Sequence, residues 1–219
     1  MRLRSAGPLL TAAVTALLVA TPLAAHAAGQ GQRQFREDTC FGAVPDTFGL
    51  PGETVYGTDG DDVILGGGRV EAGAGNDLVC DADYVLAGPG DDRIRMLDGG
   101  TAKGNGGSDE FVSITVSETA VGPTLIGGPG NDIFWGGPLA ETVYGGSGVD
   151  VARTGGGDDV VDLGSGSDQG YGGPGDDTFT GAVGDDAVDG GTGYDTVDGG
   201  VGLDRCLAVE SRTSCPRVG

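Results

Sequence analysis

From Gly127 to Leu207 the chain places one small or apolar side chain at the same place in every nine residues, and the residues between hold fixed places of their own. Cut at Gly127, nine consecutive frames read GGPGNDIFW, GGPLAETVY, GGSGVDVAR, TGGGDDVVD, LGSGSDQGY, GGPGDDTFT, GAVGDDAVD, GGTGYDTVD and GGVGLDRCL. Eight of the nine carry Gly at position 4 and Asp at position 6, and position 8 is apolar except at Gly170. Glycines at positions 1, 2 and 4 let the backbone take positive φ and turn tightly with its carbonyls inward, while position 8 faces an interior. The pattern predicts a chain of tight turns, each followed by a single inward-pointing residue.

These frames resemble the repeats-in-toxin family, also called haemolysin-type calcium-binding repeats, whose consensus is GGxGxDxUx. The resemblance extends from Gly57 to Leu207. It implies that the first six residues of a frame form a turn and the last three a short strand, with two frames to a coil. The implied fold is all-β: a right-handed parallel β-roll, or β-solenoid, with Ca²⁺ as its cofactor.

Elementary geometry points to the same ion. Neighbouring strands lie about 4.8 Å apart, so an ion midway between matching loops of successive coils sits about 2.4 Å from each. That is the Ca–O distance, and carboxylates with backbone carbonyls are its hard oxygen ligands; Mg²⁺ needs about 2.0–2.1 Å and a rigid octahedron. Residues eighteen apart then share an ion, which aligns Asp132, Asp150, Asp168, Asp186 and Asp204 along one edge and Asp159, Asp177 and Asp195 along the other. In the second frame Leu139 replaces the turn glycine and Glu141 the aspartate, so Glu141 is not counted as a ligand.

Upstream, frames begin at Gly57, Ala72, Ala87 and Gly104, separated by fifteen, fifteen and seventeen residues. Fifteen is nine plus six, so GGGRVE and DADYVL read as shortened turns on the opposite edge that supply inward Val70 and Val85 but no ligand loop. One column of sites therefore runs through the roll on Asp62, Asp77, Asp92, Asp109 and Asp132, and the other begins after Thr154. The insertion SITVSETAVGPTLI at 113–126 makes an irregular coil, and the Asp109–Asp132 step is the least regular of the first column.

The predicted interior is thin. Ile64, Val79, Ile94, Phe111, Phe134, Ala152, Gly170, Val188 and Cys206 face Val70, Val85, Ala102, Leu125, Val143, Val161, Phe179 and Val197. Each contributes about 1 to 3 kcal/mol by burial, against an ordering cost of about 1 to 2 kcal/mol for every backbone residue. Gly170 opposite Phe179 reads either as a small residue making room for a large one or as a packing gap. Stacked carboxylates about 4.8 Å apart repel by about 1 kcal/mol per pair in water and more where the dielectric is lower. Calcium turns that repulsion into ligation, which predicts folding coupled to the ion.

Charge and termini change the picture further. Segment 1–27 has Arg2 and Arg4, an apolar run from Leu9 to about Ala20 and an Ala25-His26-Ala27 site, the marks of a secretory signal peptide cut after Ala27. Its removal moves the net charge from −21 to −23, which disfavours nucleic acid and anionic membranes as partners. No continuous apolar run is long enough for membrane insertion. The expected organisation is signal peptide 1–27, N-terminal cap segment 28–56, calcium-binding β-roll 57–207 and C-terminal cap tail 208–219, an extracellular monomer. In an exported chain Cys40, Cys80, Cys206 and Cys215 are expected as disulfides, and sequence proximity favours Cys40–Cys80 and Cys206–Cys215 among the three possible pairings.

The single histidine, His26, lies in that leader, so no Ser-His-Asp triad, Cys-His pair or histidine zinc site is available to the mature chain. A non-enzymatic protein is expected. Trp135, Tyr144 and Tyr171 at position 9 read either as isolated surface aromatics or as a platform for an extracellular glycan or surface protein. A plain calcium buffer or scaffold is a third reading, with about six to ten ions bound at about 0.1 to 1 mM if it behaves as extracellular modules do.

Overall fold

The structure, a computed structural model, describes residues 39–117 and 120–215. The predicted signal peptide lies outside these residues. From β1 (Thr47–Gly49) and β2 (Thr54–Tyr56) to β20 (Ser211–Thr213), short strands alternate between two ten-stranded sheets, odd-numbered strands in one and even-numbered in the other. All pairing within the two sheets is parallel, and each strand pairs with the strand two further on, so the chain winds as a solenoid.

The nine-residue period sets the register. Between β11 (Ile133–Trp135), β13 (Val151–Arg153) and β15 (Gln169–Pro174), Phe134 stands beside Ala152 and Ala152 beside Gly170. Every predicted inward residue is buried. Phe111 and Phe134 stack with centroids 4.8 Å apart. A methyl group at Gly170 would meet the Phe179 ring at 2.7 Å, so the small residue makes room for the large one. Val55, Ala72, Ala82, Ala87, Met96 and Leu163 also join the core.

At the N-terminal end the sheets start before residue 57: β1 pairs with β3 (Val63–Gly66), and β2 with β4 (Arg69–Glu71), Val55 beside Val70. Cys40 is bonded to Cys80, and Cys206 to Cys215. Arg95 makes a bidentate ion pair with Asp81, and Phe41 lies over Arg93 at 4.3 Å. The insertion after β9 (Glu110–Ser113) is taken up entirely on one edge of the roll, because β9 still pairs in register with β11, Phe111 beside Phe134.

Candidate metal centre

From β3 onward, each turn leading into an odd-numbered strand ends in a position-6 aspartate. On this first edge Asp62, Asp77, Asp92, Asp109, Asp132, Asp150, Asp168, Asp186 and Asp204 fall one per coil, all buried. Each carboxylate reaches back one coil. The Asp132 N–H donates to Asp150 Oδ1 at 2.8 Å, and the same bond links Asp62 to Asp77, Asp77 to Asp92 and so on to Asp186 and Asp204, at 2.7–3.0 Å. The step from Asp109 to Asp132, across the insertion, is 2.8 Å like its neighbours.

One oxygen of each carboxylate is thereby used, and the other is not. Oδ2 of Asp77, Asp92, Asp109, Asp132, Asp150, Asp168, Asp186 and Asp204 is buried without a hydrogen-bond partner among the described residues. Asp62 differs: its Oδ2 accepts from the Thr58 N–H at 2.6 Å and from Thr58 Oγ1 at 3.1 Å. Where position 1 of the frame is glycine, as at Gly127, Gly145, Gly181 and Gly199, the spare oxygen lies against it. A methyl group at Gly145 would sit 2.6 Å from Asp150 Oδ2 and against the Leu163 carbonyl oxygen of the following coil. A side chain there would fill a cradle walled by a carboxylate and a backbone carbonyl, the donors calcium takes.

The second edge has the same construction over fewer coils. Glu141, Asp159, Asp177, Asp195 and Glu210 stand in register, with N–H to carboxylate bonds of 2.7–2.9 Å between successive members. The spare oxygens of Glu141, Asp159, Asp177 and Asp195 are buried and unpartnered among the described residues. Before them the equivalent places hold Glu53, Gly68, Asp83, Gly100 and Pro123, consistent with shortened turns that carry no ligand loop. Glu210, whose side chain is exposed, was not visible as a column member because no glycine frame surrounds it.

A buried carboxylate oxygen with no donor must hold a proton or face a cation. Burial pushes the carboxyls of Asp92 and Asp132 up to about 7, opposed by the backbone N–H each accepts. The same balance puts Asp109, Asp168, Asp177 and Asp186 at about 6 and raises Asp77 and Asp150. With only oxygen donors, carboxylate and backbone carbonyl, the residues present fit Ca²⁺.

Position 5 carries a second ladder that sequence reading missed. Asp61, Asp91, Asp158, Asp176 and Asp185 are exposed beside the column aspartates. Each also accepts, through Oδ1, the N–H of the matching residue on the next coil, Asn76, Ser108, Asp176, Tyr194 and Leu203 respectively, at 2.8–2.9 Å. Positions 5 and 6 thus staple the coils in opposite directions. The position-9 aromatics divide between sheets: Trp135 and Tyr171 flank Arg153 on one outer face, at 5.0 and 4.8 Å from its guanidinium, whereas Tyr144 belongs to the other sheet.

The model of the RTX calcium-binding nonapeptide repeat matches the chain in four copies, at residues 52–68, 124–138, 135–170 and 171–206. No curated protein matched the chain. The first copy ends inside the first shortened turn, GGGRVE, and the stretch up to the second copy holds the other, DADYVL; their six residues break the nine-residue period. Over these four stretches the coils match RTX calcium-binding nonapeptide repeats, which bind Ca²⁺, and the buried aspartate ladder fits that ion between coils.

Proposed function

We propose that this is an exported calcium-binding protein whose fold is completed by Ca²⁺ held between successive coils. Its ligands are Asp62, Asp77, Asp92, Asp109, Asp132, Asp150, Asp168, Asp186 and Asp204 on the first edge, and Asp159, Asp177 and Asp195 on the second. The observation that carries this reading is the row of buried Oδ2 atoms without partners. Left ionised and bare, such a row repels itself; with a divalent ion at each step, binding free energy becomes folding free energy. The cap segment and tail close the two ends, where a solenoid otherwise exposes its core. The two disulfides support an oxidising, extracellular setting. No catalytic role is assigned. Circular dichroism of the calcium-loaded chain, then in excess EGTA, tests the coupling: the strand signal is expected to collapse and return with calcium, and an unchanged spectrum in EGTA refutes it.

A second reading, binding of an extracellular glycan or surface protein, draws on the Trp135–Arg153–Tyr171 stack. Both aromatics are 40% exposed, and the guanidinium between them is a cation on a chain of net charge −21. Calcium-dependent retention on a glycan array that is lost in Trp135→Ala supports it; no retention on any glycan counts against it.

A further inference from the structure

The second column does not begin on a nonapeptide loop. Its first buried member is Glu141, 1% exposed, in the frame where Leu139 displaces the turn glycine. Glu141 Oε1 accepts from Ser113 Oγ at 3.0 Å and from the Gly137 N–H at 3.2 Å, while the Glu141 N–H donates to Asp159 Oδ1 at 2.7 Å. Three oxygens here are buried without a hydrogen-bond partner among the described residues: Thr115 Oγ1, Glu141 Oε2 and Asp159 Oδ2. A methyl group at Gly137 would lie 3.2 Å from Thr115 Oγ1, 3.4 Å from Glu141 Oε1 and 3.5 Å from Ser113 Oγ, so the hydroxyls and the carboxylate converge on one point. The Glu141 and Asp159 carboxyls, both raised by burial, interact with each other.

This differs from the other steps of the roll. There, each coil brings one carboxylate with one spare oxygen to a cradle of backbone carbonyls. Here three successive turns of the second edge bring two carboxylates and two hydroxyls together, and two negative charges match one divalent ion. Only hard oxygen donors are present, as calcium requires. We propose that Ser113, Thr115, Glu141 and Asp159 form a calcium site of their own, built from side chains, that opens the second column and joins the irregular coil to the regular array. The proposal rests on the reading that the columns hold calcium, and it reverses the expectation from sequence that Glu141 is no ligand.

Calorimetric titration of the chelator-treated full chain with CaCl₂ tests it, comparing the wild type with Glu141→Gln and with a Ser113→Ala/Thr115→Val double variant. Glu141→Gln is expected to bind one ion fewer, with the sites that do not share Asp159 keeping their affinity within about twofold because distant, unlinked sites are nearly additive. The double variant is expected to weaken one ion by about tenfold or more, as loss of supporting ligands does at metal sites. If Glu141→Gln folds in calcium, by circular dichroism, and binds as many ions as the wild type, the proposal is overturned and the two carboxyls share a proton instead. If that variant does not fold, an unchanged titration of the double variant overturns the proposal equally. A wild type that binds no calcium refutes the column reading itself, which is a separate result.

Discussion

Gly60 and Gly148 occupy the same place, position 4, in two frames of the repeat, and nothing in the frames tells them apart. Their surroundings do. Gly148 has φ +130, and a methyl group there would overlap the Gly130 carbonyl oxygen of the preceding coil; at Gly60, in the first nonapeptide loop, the nearest atom is Thr58 Oγ1 at 3.8 Å. Gly148→Ala should therefore cost about 1–3 kcal/mol from overpacking alone, with backbone strain in addition, whereas Gly60→Ala should stay within about 0.5 kcal/mol. Urea midpoints in saturating calcium measure both, and equal losses would contradict the stacking of carbonyls that the coils require. The aspartate ligands were legible because a fixed residue type recurs at a fixed spacing. The position-5 ladder was not, since whether an exposed Asp91 reaches the Ser108 N–H depends on the rise between coils, which no single frame contains.

Elements in a solenoid touch only their neighbours along the axis, so a tie at one end protects that end and little else. Cys40–Cys80 spans 40 residues and joins the first turn to β5 (Leu78–Cys80), both sulfurs buried in the coils that also hold the Arg95–Asp81 pair. Removing it as Cys40→Ala/Cys80→Ala should cost about 2–5 kcal/mol. Hydrogen exchange in calcium should then show lost amide protection from β1 through β5, with the coils around Asp159, Asp177 and Asp195 unchanged; a uniform loss along the chain would mean the roll unfolds as one unit. At this scale most of the fold was readable from sequence: inward Val70 and Val85 followed from fifteen being nine plus six. The ends were not, because β1, β2 and β20 lie in segments that carry no glycine frame, and their pairing with β3, β4 and β18 (Thr196–Asp198) comes from the sheet that precedes or follows them. The 113–126 insertion looked disruptive in sequence, yet it only widens a second-edge turn and leaves the Asp109–Asp132 step intact.

For the molecule as a whole, the carboxylate columns tie stability to both calcium and protons, with opposite signs. Without the ion, burial holds Asp92 and Asp132 near 7 and Asp109, Asp168, Asp177 and Asp186 near 6, against an ordinary value of 3.8 in the unfolded chain. A folded-state value raised above the unfolded one means that the folded form binds protons more tightly, so stability falls as pH rises wherever the two states differ. Free of calcium, the chain should be most stable near pH 4 and lose stability progressively up to about pH 7, where the fold collapses, helped in the same direction by the growing self-repulsion of a chain of net charge −21. Calcium binds the deprotonated carboxylates, so in its presence the sign reverses: affinity should fall as pH drops from 7.5 to 5.5, and each ion bound near pH 6 should release protons. Calorimetry in two buffers of different ionisation enthalpy reads that release directly, and circular dichroism of the chain stripped of calcium at neutral pH, desalted and moved to pH 4.5 reads whether the fold lost at pH 7.5 returns on protonation. Zero proton release near pH 6, or a calcium-free chain that stays unfolded at pH 4.5, would show that these oxygens are neither protonated in the empty roll nor the ones that meet the ion.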